Sequence, residues 1–196
     1  MNVILTGLRG TGKTNIGRLL AAQLQRPFFD TDVLIERELG EAIPAFVARQ
    51  GWETFRDVEH RVICEVAQQH AAVISTGGGA LTYTRNVEVL KPGGVVILLA
   101  ADPTVLARRL ERSYARPPLT SEATLEAEIR TLWAEREPLY RRIADVVLGV
   151  DPETTDEAND FQGKVTMLLT LLQPFLCQKT VMAAKNLGPG LTDAAP

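Results

Sequence analysis

A three-layer α/β fold with a central five-stranded parallel sheet is predicted by three features of this chain. Short apolar, β-branched segments alternate with stretches of helical periodicity, the pattern of βαβ units with helices on both sheet faces. The first apolar segment runs straight into Gly7-Leu8-Arg9-Gly10-Thr11-Gly12-Lys13-Thr14, the phosphate-binding pattern G-x-x-x-x-G-K-[ST], and a helical pattern follows at once. Asp30, Asp32, Gly77, Gly78 and Gly79 also lie just behind apolar segments, at the strand ends where open α/β sheets take their ligands. At ordinary residue frequencies the loop pattern has a chance probability under ~1% in a chain of this length.

The elements follow in order. Met1 to Thr6 is the first strand, and Ile16, Leu19, Leu20 and Leu24 recur at helical spacing behind the loop until Pro27 stops them. Phe28-Phe29 makes a very short second strand, and a helix from Val33 to Leu39 closes at Gly40. Residues 43–70 are mostly helical with a break at Gly51, and Ala72 to Ser75 is a buried strand. Val95 to Leu99 is the clearest strand; Asp102-Pro103, a cap and an N1 proline, opens a helix to about Arg112. Residues 113–121 read as an exposed loop, and helix resumes near Glu122 with a break expected at Pro138. Val146 to Leu148 is the last strand and 157–172 the last helix. One domain over 1–172 results, with a core of 1–30, 71–112 and 138–172. Residues 173–196, with small residues and a Gly-Pro-Gly, are expected as a poorly ordered tail.

Composition narrows the class. Of 196 residues 45% are hydrophobic and 23% charged, with 21 basic against 24 acidic side chains. A net charge of -3 gives no global attraction to nucleic acid or anionic membrane. Cys64 and Cys177 form no C-x-x-C pair, and no apolar run approaches the roughly 18 residues of a membrane span. A cytoplasmic monomer with no nucleic-acid or membrane partner is expected.

The loop pattern has a direct chemical meaning. Its backbone N–H groups wrap a polyphosphate, the helix behind it adds its positive end, Lys13 reaches the β/γ-phosphates, and the Thr14 hydroxyl ligates Mg²⁺. Asp30 and Asp32 share a face if strand geometry persists. A carboxylate there can hold a metal-bound water or orient an attacking hydroxyl; equally, it can cap the following helix. The glycines 77–79 allow close backbone approach to a ligand, or simply a flexible turn. Taken singly, Arg56 and Arg136 are helix-surface arginines, and Arg116 is a loop arginine stiffened by Pro117 and Pro118. His60 and His70 read as surface histidines, Trp52 and Trp133 as packing anchors.

Read together in order, these segments resemble shikimate kinase. The resemblance rests on the loop, Asp30-Thr31-Asp32, Gly51-x-x-x-Phe55-Arg56-x-x-Glu59, Gly77-Gly78-Gly79-Ala80, Arg116-Pro117 and Arg136-x-Pro138-Leu139-Tyr140, over about residues 1–150. It implies a P-loop NTPase fold of the nucleoside monophosphate kinase type, with substrate-binding helices at about 31–62 and a lid at about 112–122. It implies transfer of the γ-phosphoryl of ATP to the 3-hydroxyl of shikimate, with Mg²⁺, on the route to chorismate and the aromatic amino acids.

By the same resemblance Asp32 is the base or orienting group, and Arg56, Arg136 and the Gly78 N–H, with Gly77 and Gly79, hold the substrate. Glu59 steadies Arg56, and Asp30 reaches Mg²⁺ through water. Gly10, Thr11, Gly12, Lys13, Thr14, Asn15 and Arg109 bind ATP, and Arg116 is the catalytic lid arginine. Some positions depart from the family pattern. Pro118 intervenes before Leu119, Val47 stands where a pocket aromatic is usual with Phe46 beside it, and Asp151-Pro152-Glu153 replaces an arginine near the adenine. A gluconate kinase of the same fold, or a binding module without catalysis, is the rival reading.

Overall fold

The computed structural model describes residues 1–112, 124–151 and 157–185, without side chains at 112, 157–159 and 177–185. Five parallel strands form one sheet in the order β2-β3-β1-β4-β5: β1 (Asn2–Thr6), β2 (Phe28–Asp30), β3 (Val73–Ser75), β4 (Gly94–Ala100) and β5 (Val146–Gly149). Central β1 pairs Leu5 with Ser75 on one side and with Ile97 on the other. With β3 on one side and β4 on the other, the chain changes direction of travel at β1, and ligands bind at such a switch point.

The helices are α1 (Lys13–Leu24), α2 (Thr31–Leu39), α3 (Ile43–Ala67), α4 (Thr84–Leu90), α5 (Pro103–Arg112), α6 (Leu125–Ile143) and α7 (Glu157–Lys185). The alternation of β1 assigns its faces. Val3 and Leu5 enter one apolar cluster with Leu20, Val165 and Leu168, while Ile4 enters another with Ile63, Ile74 and Val96. A strand buried on both faces needs apolar residues at consecutive positions, which is why Val3-Ile4-Leu5 and Val95 to Leu99 carry them. A third cluster of Ile35, Phe46, Phe55 and Val62 fixes α2 against α3. It holds the helix bearing Arg56 at the sheet's ligand end.

Several expectations need correction. The second strand stops at Asp30, whose carboxylate caps α2 by accepting from the Asp32 N–H at 3.1 Å. Asp32 is therefore helical, and strand alternation does not relate it to Asp30. Pro138 does not break its helix: α6 runs unbroken from Leu125 to Ile143, anchored on both sides of the proline by buried Leu132, Tyr140 and Ile143. That packing outweighs the one backbone hydrogen bond a proline removes.

The last helix passes Leu172 and Pro174 and continues to Lys185, with Phe175 and Leu176 against the main core, so the helix does not end at 172; residues 186–196 of the expected tail lie outside the described residues. The segment α4 had no sequence signal assigned to it. His60 is half-buried rather than superficial, with Nδ1 2.7 Å from Asn86 Oδ1. The Gly51 break does exist: at φ 80° and ψ 166° it kinks α3. Among the described residues no helix is long and apolar enough to cross a membrane.

Candidate active site

The phosphate loop leaves β1 and enters α1 through Gly12, whose φ of 82° is left-handed. A Cβ there would lie 2.8 Å from the Phe161 ring, so glycine is required by both conformation and space. No side chain caps α1, and its first turn holds no acidic residue. The N–H groups at its start are thus directed at whatever anion the loop receives. Thr11 Oγ1 closes the loop onto the Leu8 carbonyl at 2.8 Å, and Lys13 Nζ donates to the Gly7 and Leu8 carbonyls at 2.9 and 2.8 Å.

An open cleft of about 520 Å³ lies over this loop, with Asp30, Asp32, Ser75 and Thr76 on its far wall. Thr14 Oγ1 donates to Asp30 Oδ2 at 2.7 Å. The two hard oxygens therefore stand side by side beside the loop, a donor set suited to Mg²⁺, which needs few protein ligands because water and phosphates complete its shell. Asp30 is thus both the helix cap and the neighbour of Thr14; the two readings of it are compatible. At the other end, Arg109 donates to the Val150 carbonyl at 2.9 Å and sits 3.9 Å from buried Asp160. Asn15 lines the cleft at the exposed start of α1.

The acceptor side is built around the glycine turn. Gly77 donates its N–H to Thr31 Oγ1 at 3.0 Å, which pins the turn to α2. A Cβ on Gly77 would lie 2.6 Å from Asp32 Oδ1, and one on Gly79 would lie 2.9 Å from Arg56 Nη2. The glycines are there because a carboxylate and a guanidinium occupy the space side chains would need. The Gly78 carbonyl accepts from the Tyr140 hydroxyl.

Arg56 Nη1 donates to both oxygens of Glu59, a residue 1% exposed. Burial pushes the Glu59 carboxyl up, Arg56 pulls it back, and the charge of Asp32 raises it further. The Arg56 guanidinium also lies over the rings of Tyr83, Phe55 and Trp52 at 4.9, 5.1 and 5.2 Å, an arrangement that steadies a cation without neutralising it. Trp52 packs edge-on against buried Phe55 and, being 45% exposed, also forms a wall of this cage. Burial raises the Tyr140 phenol, opposed by the charge and hydrogen bond of Arg136 and by the charge of Arg56. Both arginines therefore act on one phenol.

Lys13, Thr14, Asp30, Asp32 and the three glycines lie together behind the strand ends; Arg56 and Arg136, read singly as helix-surface arginines, come to them from α3 and α6, Arg56 against Gly79 and Arg136 through Tyr140. Arg116 lies outside the described residues. Sequence reasoning assigned no role to Tyr83, Tyr140, Phe161, Asp160 or the buried ion pair between Arg9 and Glu128. For Glu128 a signal existed, since it is one i,i+4 step from apolar Leu132 on the buried side of α6. Among the described residues no three His, Cys, Asp or Glu side chains gather to hold a metal.

A parallel sheet with a phosphate loop at its switch point, facing a carboxylate and a caged arginine, defines a P-loop kinase of small molecules. The shikimate kinase family model matches residues 9–166, and on that match the chain belongs to the shikimate kinase family. A shikimate kinase of Syntrophus aciditrophicus is 41% identical over 170 residues, covering 81% of this chain and 87% of that protein. The solved structure of shikimate kinase from Acinetobacter baumannii in complex with shikimate is 36% identical, with a TM-score of 0.77 over 88% of this chain and 93% of that one. A gluconokinase from Sinorhizobium meliloti matches at a TM-score of 0.52 over 90% of this chain and 96% of that one, with 15% identity, a likeness of fold alone. The chain is accordingly an ATP-dependent kinase acting on a hydroxyl group.

Proposed function

We propose that the cleft transfers the γ-phosphoryl of ATP to the 3-hydroxyl of shikimate through Asp32, with Arg56 and Arg136 holding the substrate carboxylate. One observation carries this assignment. Asp32 abuts Gly77 and Arg56 abuts Gly79, and two positions along a chain span at most roughly 7 Å. A hydroxyl-orienting carboxylate and a carboxylate-binding cation thus stand one small ring apart.

The residues divide the work as phosphoryl transfer requires, by in-line positioning and charge neutralisation. The peptides of Gly10, Thr11 and Gly12 and the start of α1 receive the phosphates, and Lys13 exchanges its loop carbonyls for phosphate oxygens. Asn15 donates to the polyphosphate, and Arg109 flanks the nucleotide at the Gly10 end. The planar forks of Arg56 and Arg136 match a carboxylate in shape and charge, and the Gly78 N–H joins them. Asp32 accepts the hydroxyl proton as the oxygen attacks the γ-phosphorus and ADP leaves. Thr14 and Asp30 would hold Mg²⁺, Asp30 through water, and the ion would supply neutralising charge to the phosphate oxygens. Arg116 serves as the lid arginine.

Calorimetric titration with ADP and shikimate, beside a coupled ATPase assay over a panel of hydroxy acids, tests the reading. Shikimate is expected to bind and to be turned over in preference to gluconate. Turnover of gluconate without turnover of shikimate overturns it.

A further inference from the structure

We propose that Arg9 is a third arginine of the active site, held by Glu128 at the seam between the phosphate loop and the glycine turn, where it meets the phosphoryl group in transfer. This deepens the reading above and rests on it.

Arg9 is the second variable position of the phosphate loop, and its side chain pairs through Nη2 with Glu128 on α6, 119 positions away. The two side chains are only 9% and 3% exposed. The Arg9 backbone nitrogen lies 3.4 Å from where a Gly78 Cβ would stand, so the loop touches the acceptor turn at this residue. Arg9 also lines the same cleft as Lys13 and Asp32.

Stability does not account for the pair. A buried ion pair is on balance no better than apolar side chains of equal volume, because desolvation offsets the attraction. A functional reading does account for it. The architecture repeats that of Arg56 and Glu59, in which a buried glutamate fixes an arginine at the acceptor's far end. Arg9 and Glu128 do the same at the reacting end. A guanidinium carries five donors in a rigid fork, so an arginine that pairs with a carboxylate can address a phosphoryl oxygen as well. Charge gathers on those oxygens during transfer, and a preorganised cation there acts on kcat rather than on ground-state binding.

Glu128 is a positioning residue, acting only through Arg9. Further along the same helix are Arg136 and Tyr140, the latter bonded to the Gly78 carbonyl. One helix therefore steadies both halves of the cleft.

The deciding experiment is the double variant Arg9→Met/Glu128→Leu, with Arg9→Lys beside it, each assayed for Tm, kcat and both KM values. The double variant is expected to keep or exceed the wild-type Tm while kcat falls roughly 10²-fold, the range for loss of one transition-state donor. Arg9→Lys should keep the Tm and give an intermediate kcat, since it retains the charge without the fork. A double variant with wild-type kcat overturns the proposal and leaves the pair structural. Should the double variant not fold, wild-type kcat in Arg9→Lys overturns it equally. Arg56→Ala serves as the control on the underlying reading: an unchanged shikimate KM there breaks the site assignment whatever the Arg9 variants do.

Discussion

Arg56 Nη1 donates to both carboxylate oxygens of Glu59 at 2.9 Å, three residues along the same helix. Glu59 is almost wholly buried, so its carboxylate depends chiefly on that guanidinium for its charge balance, with a smaller attraction from Arg85. Arg56 in turn is steered toward Gly79 and the cleft by Glu59 and by the aromatic cage. On the proposed assignment, a substrate carboxylate arriving there meets a cation whose direction is already set, which lowers the entropy lost on binding.

Replacing Glu59 by alanine removes this guide. The shikimate KM is expected to rise at least about tenfold, with the ATP KM unchanged, and breaking a buried pair lowers stability by about 3 kcal/mol. Steady-state kinetics and urea denaturation measure both. An ATP KM that rises in parallel would show a general loss of structure instead.

Glu59 also predicts a pH dependence. The unfolded chain ionises this carboxyl near its ordinary 4.5, whereas burial raises it in the folded protein. Between the two values the folded state holds a proton that the unfolded state has lost. The stability from a neutral Glu59 is thus fully present below 4.5 and is lost as pH rises through the raised value. Denaturation of wild type and Glu59→Gln from about pH 4 to about pH 8 should show the wild type losing ground to the variant over that window. A difference constant with pH rules out the raised carboxyl.

Asp32→Asn keeps the shape of the side chain and removes its capacity to take a proton. ATP binding should persist while kcat falls roughly 10³-fold, within the range for loss of a general base. Calorimetry with ADP and a coupled assay separate the two effects. Near-normal turnover would remove Asp32 from the chemistry.

Tyr140→Phe deletes the hydroxyl donated to the Gly78 carbonyl and the partner of Arg136. A part-buried acceptor left unpaired lowers stability by about 1 kcal/mol. The glycine turn, proposed above to contact the substrate, loosens with it. The shikimate KM should rise several-fold and the Tm should drop; an unchanged KM would confine Tyr140 to a purely structural role.

Much of the architecture was legible because its causes are local. The sequence Val3-Ile4-Leu5 before the glycines specified a short apolar strand feeding a phosphate-loop pattern, and Asp102-Pro103 specified a helix start that the structure keeps, with Asp102 Oδ1 accepting from the Thr104 N–H at 2.7 Å. Where a local rule met a stronger long-range force, the local rule lost. Pro138 remains helical because α6 is packed on both sides of it, and helix persists past Leu172 because Phe175 and Leu176 find core to bury against.

The sequence by itself determined the loop, the strand pattern and the residue types of an acceptor site, because backbone conformation, capping and period are decided within a few positions of each residue. Only the tertiary structure decided which side chains share a space. Tyr140 meets Gly78 across 62 positions and Arg9 meets Glu128 across 119. Such meetings depend on the strand order β2-β3-β1-β4-β5, which no local period encodes.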